Sequence, residues 1–417
     1  MQLPCLKSYP RDRQFARRGQ SLAEVLVALA VGSIMLIAAS SIILPAVRSN
    51  TAVTQIQTSA ALGKELLDNS RVFAEGSWQN VSGLSTSSAN PYYLVTGSSP
   101  FTVLPGQETT IVDVPGELAG YWKLEETVGT VAYDFSANNS TGTIAGGVTA
   151  TSSCAIGRCL YFGGVNGYID VPYNANLPIN GDFTFSVWVK DSNVNAGAIV
   201  SQGDGTDYTA AYLIRYGGAG NTYFALGNGV SAAYAYFNPP VNAWHHVVAT
   251  VQGTAMSLYL NGSLATSTTF SGSRQSPTTP LHLGRRSDGY YLTGYLDDVR
   301  IYSRALSANE VSSLYKGVVY TRYFYLDDVY RDNSGNVTTT VINYDPSAKR
   351  ITAVFGWNGG PTSTSVSYLT RYFDRILVQS DWSGGSGQSG PVTIPNNQFV
   401  TSTNLSSTTR SLRIQGL

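Results

Sequence analysis

An apolar run over residues 25–44, entered through Arg17-Arg18-Gly19-Gln20-Ser21-Leu22-Ala23-Glu24, constrains this chain more than any other feature. About 20 apolar residues are enough to cross a bilayer as one helix. Lys7, Arg11, Arg13, Arg17 and Arg18 all precede the run. That asymmetry predicts a cytoplasmic leader, with everything after Leu44 outside. Glu24 stands at the mouth of the run, where a carboxylate is costly in lipid and usually functional. A secretory signal peptide cleaved near Ala38-Ala39-Ser40 is one alternative. Against it, the run is long and carries a Glu where a secretory core should begin. A plain membrane anchor, with Glu24 among the headgroups, is the other.

On these residues the segment resembles a type IV prepilin signal. The resemblance implies a leader over residues 1–19, cleavage between Gly19 and Gln20 by a prepilin peptidase, and Glu24 as the assembly residue. In that family the new amine is available to pair with the Glu carboxylate of a neighbouring subunit. Inside a bundle of apolar helices such a buried pair would fix axial register, as a buried polar group does in a coiled coil. The partners implied are other pilin subunits and the inner-membrane assembly machinery. Gln20 departs from the Phe that the family most often has there, which puts methylation of the new N-terminus in doubt.

A chain of 417 residues is expected to hold two or three domains. Charged residues make up 12% and cancel to zero net charge, so no basic footprint points to nucleic acid. Abundant Gly, Ser, Thr, Asn and Tyr suit β-sheets with many turns on an extracytoplasmic surface. Of the 3 cysteines, Cys5 lies in the leader, and Cys154 and Cys159 flank a tight loop. Outside the membrane these two are expected to form a disulfide. Zinc is the alternative, and no second Cys or His pair lies nearby to complete it.

Residues 20–44 read as the transmembrane part of a long helix. Beyond Pro45, expected to bend it, Val47, Val53, Ile56, Ala60, Leu62, Leu66, Leu67 and Phe73 recur at spacings of three, four and seven. Residues 45–116 therefore read as an amphipathic helix followed by short strands such as Tyr92-Tyr-Leu-Val95 and Thr109-Thr-Ile-Val-Asp-Val114. Residues 318–417 hold further strands in Val318-Val-Tyr-Thr-Arg-Tyr-Phe-Tyr-Leu326, Arg350-Ile-Thr-Ala-Val-Phe-Gly-Trp357 and Ser365-Val-Ser-Tyr-Leu-Thr-Arg-Tyr-Phe373, then a Gly/Ser-rich tail. Their order resembles the final sheet of pilin-like globular domains.

The unit between, residues 117–317, resembles the laminin-G-like, concanavalin-A-like jelly rolls. The resemblance rests on Ala119-Gly-Tyr-Trp-Lys-Leu124, Leu160-Tyr-Phe-Gly-Gly164, Phe183-Thr-Phe-Ser-Val-Trp-Val189, Trp244-His-His-Val-Val-Ala-Thr250, Leu258-Tyr-Leu-Asn-Gly262 and Gly294-Tyr-Leu-Asp-Asp-Val-Arg-Ile-Tyr-Ser-Arg-Ala-Leu306. The expected fold is α+β pilin-like, a long N-terminal helix packed on an antiparallel sheet, interrupted by an all-β jelly-roll sandwich. Insertion is tolerated where a guest's ends lie together, and in this sandwich family the first and last strands are neighbours.

Fold alone does not settle what such a sandwich does. Glycoside hydrolysis needs two carboxylates facing one bond. Here Glu125-Glu126 and Asp297-Asp298 are adjacent pairs, which would point to opposite faces of a strand, so no enzyme is expected. His245 and His246 follow Trp244 in a strand and read as sheet-face residues, and His282 has no His or Cys partner in sequence. Calcium is the candidate cofactor: relatives of this domain imply a site between an early Asp-rich loop and the last strand, here Asp134 and Asn138 with Asp297. The competing reading makes Asp134 an Asx turn and Asp297 a locally paired residue. Tyr208, Tyr212, Tyr216, Tyr223, Tyr234, Tyr236 and Phe237, with the loop Arg285-Arg286-Ser287-Asp288-Gly-Tyr-Tyr291, are candidate contributors to a ligand surface. The whole reads as a minor pilin or pseudopilin-like subunit, in the cytoplasmic membrane and then on a filament, displaying a lectin-like domain to a surface ligand such as a glycan. A membrane-anchored lectin outside any filament is the runner-up, and an extracellular glycosidase the third reading.

Overall fold

The computed structural model describes residues 22–97, 100–111, 117–177, 181–192, 197–209, 212–216, 222–275 and 278–371, with the short strands Leu405–Ser406 and Arg413–Ile414. Gly19, Gln20 and the 383–390 stretch lie outside the described residues. A helix runs over Leu22–Gly76 and continues through Pro45. Leu26, Val27, Leu29, Met35, Leu36 and Ile43 stand exposed along its first half. Among the described residues no helix is long and apolar enough to cross a membrane, and the side chains of several residues of the 25–44 run lie outside them.

The second half of the helix has something to pack on. Leu66, Phe73 and Ala74 form one core with Leu94, Phe324, Leu326, Ile351, Ala353 and Leu369. Those partners come from an antiparallel sheet ordered Thr102–Pro105, Tyr92–Val95, Val319–Arg331, Asn343–Trp357, Ser363–Thr370. The strand Glu108–Ile111 joins it by pairing with the start of Val319–Arg331, Ile111 opposite Val319. Helix and sheet come close at Gly63, where a β-carbon would sit 2.2 Å from the Phe355 ring. Only a missing side chain permits that approach.

Between Ile111 and Val319 the chain builds two facing antiparallel sheets. One is ordered Ser263–Thr269, Ala255–Leu260, His245–Gln252, Phe183–Asp191, Thr293–Tyr302, Cys159–Gly163, Thr149–Thr151. The other is ordered Ala232–Phe237, Thr222–Gly227, Tyr212–Tyr216, Gly197–Gln202, Leu281–Leu283, Tyr168–Val171, Gly142–Ala145, Val131–Ala132. Their inner faces share a core that includes Phe162, Phe183, Phe185, Val187, Phe224, Val247, Leu258, Leu283 and Leu296. The unit starts and finishes in one place: strand Leu118–Trp122 pairs with Thr293–Tyr302, and the Ser303 N–H donates to the Glu117 carbonyl at 2.9 Å. Phe183–Asp191 is buried on both faces. Its outer side is covered by helix Ala308–Lys316, capped by Ser307 and Glu310. Val311 and Leu314 of that helix pack on Val248, Tyr259 and Tyr302, and Tyr315 stacks on Trp188 and His246. Burial pushes His246 down to about 3, so the imidazole is neutral, bonded through Nε2 to Ser186 Oγ at 2.9 Å.

The sandwich and the helix-backed sheet are joined through buried charge. Lys123, just after the first sandwich strand, donates to Glu108 of the outer sheet. Arg322 donates to the same carboxylate at 2.5 Å and reaches the helix at the Leu62 carbonyl (3.3 Å) and Glu65 (3.3 Å). Burial alone would raise Glu108, but the two cations overcome it and hold the carboxyl at about 2. A second chain of contacts runs beside it: Tyr121 donates to Asp298 at 2.7 Å, and Arg300 donates to Asp298 at 3.0 Å and to the Ile111 carbonyl at 3.2 Å.

Glu125 and Glu126 lie in the irregular segment after Trp122, not on opposite faces of a strand as the sequence suggests, and both are buried. Burial pushes Glu125 up to about 8 and Glu126 to about 7. Asp297 is also raised well above its usual range, by burial and then by Asp298. A proton that the folded state keeps and the unfolded chain releases stabilises the fold below the ordinary carboxyl pKa, and the benefit is lost as pH climbs toward the folded value. His246 acts in the opposite sense only below its ordinary 6.5, so pH 6.5–8 isolates the carboxyls. Across that window stability should fall by on the order of 2–4 kcal/mol. Thermal unfolding followed by circular dichroism should show the decline, and Glu125→Gln should flatten it. A constant Tm from pH 6.5 to 8 would contradict this account of the junction.

Candidate functional site

The outward face of the second sheet is built by period-two alternation. On strand Ala232–Phe237, Ala235 and Phe237 point into the sandwich core, leaving Tyr234 and Tyr236 on the other side. The adjoining strand puts Tyr223 opposite Tyr236 and Ala225 opposite Tyr234. Ala198, Tyr223 and Ala225 form a small outer cluster against which Tyr234 packs. Tyr234 and Tyr236 are stacked, with ring centroids 5.7 Å apart, and Tyr223 meets both edge-on at 5.3 and 5.8 Å.

Two loops close over the end of this face. The first brings Asp207, whose Oδ2 accepts from the Tyr223 hydroxyl at 2.8 Å and from that of Tyr234 at 3.4 Å. The second brings Arg286, which donates to Asp207 Oδ1 at 2.6 Å and makes a two-pronged pair with Asp288 at 2.7 and 2.6 Å. The loops touch at Gly205, where φ is +100° and a β-carbon would lie 3.1 Å from that of Asp288. The Tyr290 ring lies 4.3 Å from the Arg286 guanidinium. Burial and the Asp207 charge raise the Tyr234 phenol, keeping it a neutral donor. Tyr236 is 55% exposed and Tyr208 49%, so ring surface remains uncovered.

Further along the same sheet Arg285 donates to both oxygens of Asp170, at 3.0 and 2.9 Å, and stacks on Tyr168 with 3.7 Å from guanidinium carbon to ring centroid. His282 shares that carboxylate at 2.6 Å. Burial alone would raise Asp170, but His282 and Arg285 hold it low. The partner of His282 is thus an Asp on the neighbouring strand, 112 residues away in sequence, which local spacing could not disclose.

The other residues singled out from sequence are placed as follows. Gly19 and Gln20 fall outside the described residues; Glu24 lies within the long helix, its side chain outside them. Cys154 and Cys159 are disulfide-bonded, with Cα atoms 5.6 Å apart. Tyr212 and Tyr216 lie on one strand of the face, their side chains outside the described ones, and Phe237 faces the core. His245 bonds to the Pro240 carbonyl at 2.8 Å.

The calcium candidates have these hydrogen-bond partners, and Asp297 Oδ1 is buried without one. Asp134 already accepts four hydrogen bonds: Oδ1 from the Tyr121 and Ser136 N–H groups at 2.9 and 2.8 Å, Oδ2 from Ser140 N–H at 2.7 Å and Ser136 Oγ at 2.8 Å. Asn138 turns its amide nitrogen to the Ala119 carbonyl at 3.0 Å, and Asp297 accepts from Ile156 N–H at 2.8 Å. Among the described residues no group of three or more His, Cys, Asp or Glu could hold a metal. Asp134 is a turn organiser, and Asp297 a buried acid at the junction.

Comparison with known proteins bears on both ends of this description. Residues 15–40 match the prokaryotic N-terminal methylation motif, and residues 162–312 match the concanavalin A-like lectin/glucanases superfamily. A stretch of 151 residues is 29% identical to adhesion G-protein coupled receptor V1 of Danio rerio, covering 32% of this chain. The chain spans 2% of that relative's length. Domain 4 of the GH43 extracellular arabinanase AbnA from Geobacillus stearothermophilus, solved with arabinotriose, is similar at 20% identity and TM-score 0.40, over 48% of this chain and 99% of its own. The binding domain of botulinum neurotoxin serotype G is similar at 14% identity and TM-score 0.41, over 57% of this chain and 72% of its own.

With the Asp134 carboxylate taken up by four hydrogen bonds, the protein should melt at the same temperature, within about 1 °C, in about 1 mM calcium and in excess chelator. A calcium-dependent rise of about 5 °C or more would restore the metal site.

Proposed function

We propose that this chain, which carries a type IV prepilin methylation motif and a laminin-G/concanavalin-A-like domain, is a minor pilin or pseudopilin-like subunit that displays the jelly roll for adhesion, with a glycan as the ligand. The observation that carries the reading is the motif at residues 15–40 at the head of a helix that continues to Gly76. The motif implies membrane anchoring of the N-terminus and later display outside the cell. On this reading 1–19 is a leader removed by prepilin peptidase. Residues 20–44 pack among the helices of other subunits with Glu24 setting register, and 45–116 with 318–417 form a pilin-like domain around the jelly roll at 117–317. The antiparallel sheet packed against Leu66 and Phe73 supports that assignment. So does the meeting of Leu118–Trp122 with Thr293–Tyr302, which lets an outer sheet close around an insert.

A glycosidase reading has little to stand on. Glu125, Glu126, Asp297 and Asp298 are all buried where the sandwich meets the outer sheet, so a glycan has no route to them. A binding role needs only an exposed face, and the sandwich has one.

Mass spectrometry of the protein expressed with and without prepilin peptidase tests the reading. A mature chain starting at Gln20 only when the enzyme is present is the expected result. Glu24→Ala should leave cleavage intact and abolish incorporation into filaments. An uncleaved chain, or a cut near Ser40, would leave an anchored or secreted lectin-like protein instead.

A further inference from the structure

The adhesive reading names no binding surface. We infer that the ligand site is the outward tyrosine face formed by Tyr234 and Tyr236 over the Asp207–Arg286–Asp288 cluster, and that it takes an uncharged sugar ring. The inference rests on the glycan-binding reading and adds to it a place and a chemical class.

Three observations lead there. First, the rings are fixed before any ligand arrives. Tyr234 is held by Asp207 and by stacking on Tyr236, and Tyr223 buttresses both from the next strand. Rigid aromatic surface is what a sugar's C–H face needs, since little side-chain freedom is then lost on binding. Second, the two arginines of the loop beside the face, Arg285 and Arg286, are held in ion pairs. Arg286 spends its donors on Asp207 and Asp288, with its side chain only 10% exposed. Arg285 is paired to Asp170 beneath the Tyr168 ring. Among the described residues, neither arginine of this loop is left to meet the carboxylate of an acidic sugar. Third, the rim is acidic. Asp288 keeps 38% of its side chain exposed, and Asp204 and Ser287 are exposed beside it. Such groups accept hydrogen bonds from sugar hydroxyls and repel sialic acids and uronates.

The alternative occupants fit less well. A flat apolar protein partner would meet the acidic rim and bury it unpaired. A membrane surface rich in anionic lipid would meet the same repulsion.

The test uses the full-length protein in detergent, applied to immobilised neutral oligosaccharides ending in glucose, galactose or arabinose, and to sialylated and uronate-ended counterparts. The wild type should bind members of the neutral set and not the acidic ones. Tyr236→Ala removes an exposed ring and should weaken binding roughly tenfold while lowering the melting temperature by no more than a few degrees, as loss of a surface aromatic pair does. Tyr344→Ala, which removes a ring that is 50% exposed on the outer sheet, should change nothing. Preference for acidic or amino sugars, or unchanged affinity in Tyr236→Ala, would overturn this site while leaving glycan binding in place. Failure of the wild type to bind any member of the panel would overturn the glycan reading with it. Neither outcome touches the filament reading, which leader cleavage decides separately.

Discussion

One buried carboxylate holds the two halves of this protein in fixed relation. Glu108 lies on a short outer-sheet strand, yet it takes a hydrogen bond from Lys123 of the sandwich and from Arg322 of the central outer strand. Arg322 in turn reaches the helix at Leu62 and Glu65. A displacement of the sandwich would therefore have to expose an ion pair or leave one charge buried alone, which costs about 3–5 kcal/mol. The net stabilisation from making such a cluster is smaller, because each charge gave up water to enter it. What the cluster supplies is orientation: it is satisfied in one arrangement of helix, sheet and sandwich.

That orientation has a consequence for access. The junction gathers most of the sandwich's buried acids. The opposite side, beyond the second sheet, is left with Tyr223 and Tyr234, whose hydroxyls are tied to Asp207, and with the exposed ring of Tyr236. Division of labour follows from burial alone. Acids enclosed in low dielectric become neutral structural donors or paired anions, and aromatic rings at a sheet surface become contact area.

Much of this was legible in the sequence because it depends on local pattern. The strand segments Tyr92–Val95, Phe183–Val189 and Arg350–Trp357 were legible as runs of aromatic and β-branched residues, and the helix through Leu66 and Phe73 from spacings of three and four. The pairing of Cys154 with Cys159 followed from proximity and compartment. Asp134, Asn138 and Asp297 have the right atoms for calcium; hydrogen bonds from Tyr121, Ser136 and Ser140 take up the first of them, while one oxygen of Asp297 has no partner. What misled was also local. Glu125 and Glu126 were read as a strand pair because nothing in their neighbours signals that the strand stops at Trp122.

The sequence by itself determined the apolar run with the basic residues before it and Glu24 at its mouth, the two sheet-forming units and the disulfide, since each depends on residues close together in the chain. The tertiary structure alone decided the rest. Lys123 meets Glu108 across 15 residues and Arg322 meets it across 214. Arg286 and Asp207 close the tyrosine face across 79. Such meetings depend on strand order and loop closure, and a side chain's neighbours along the chain carry no information about which strand will lie beside it.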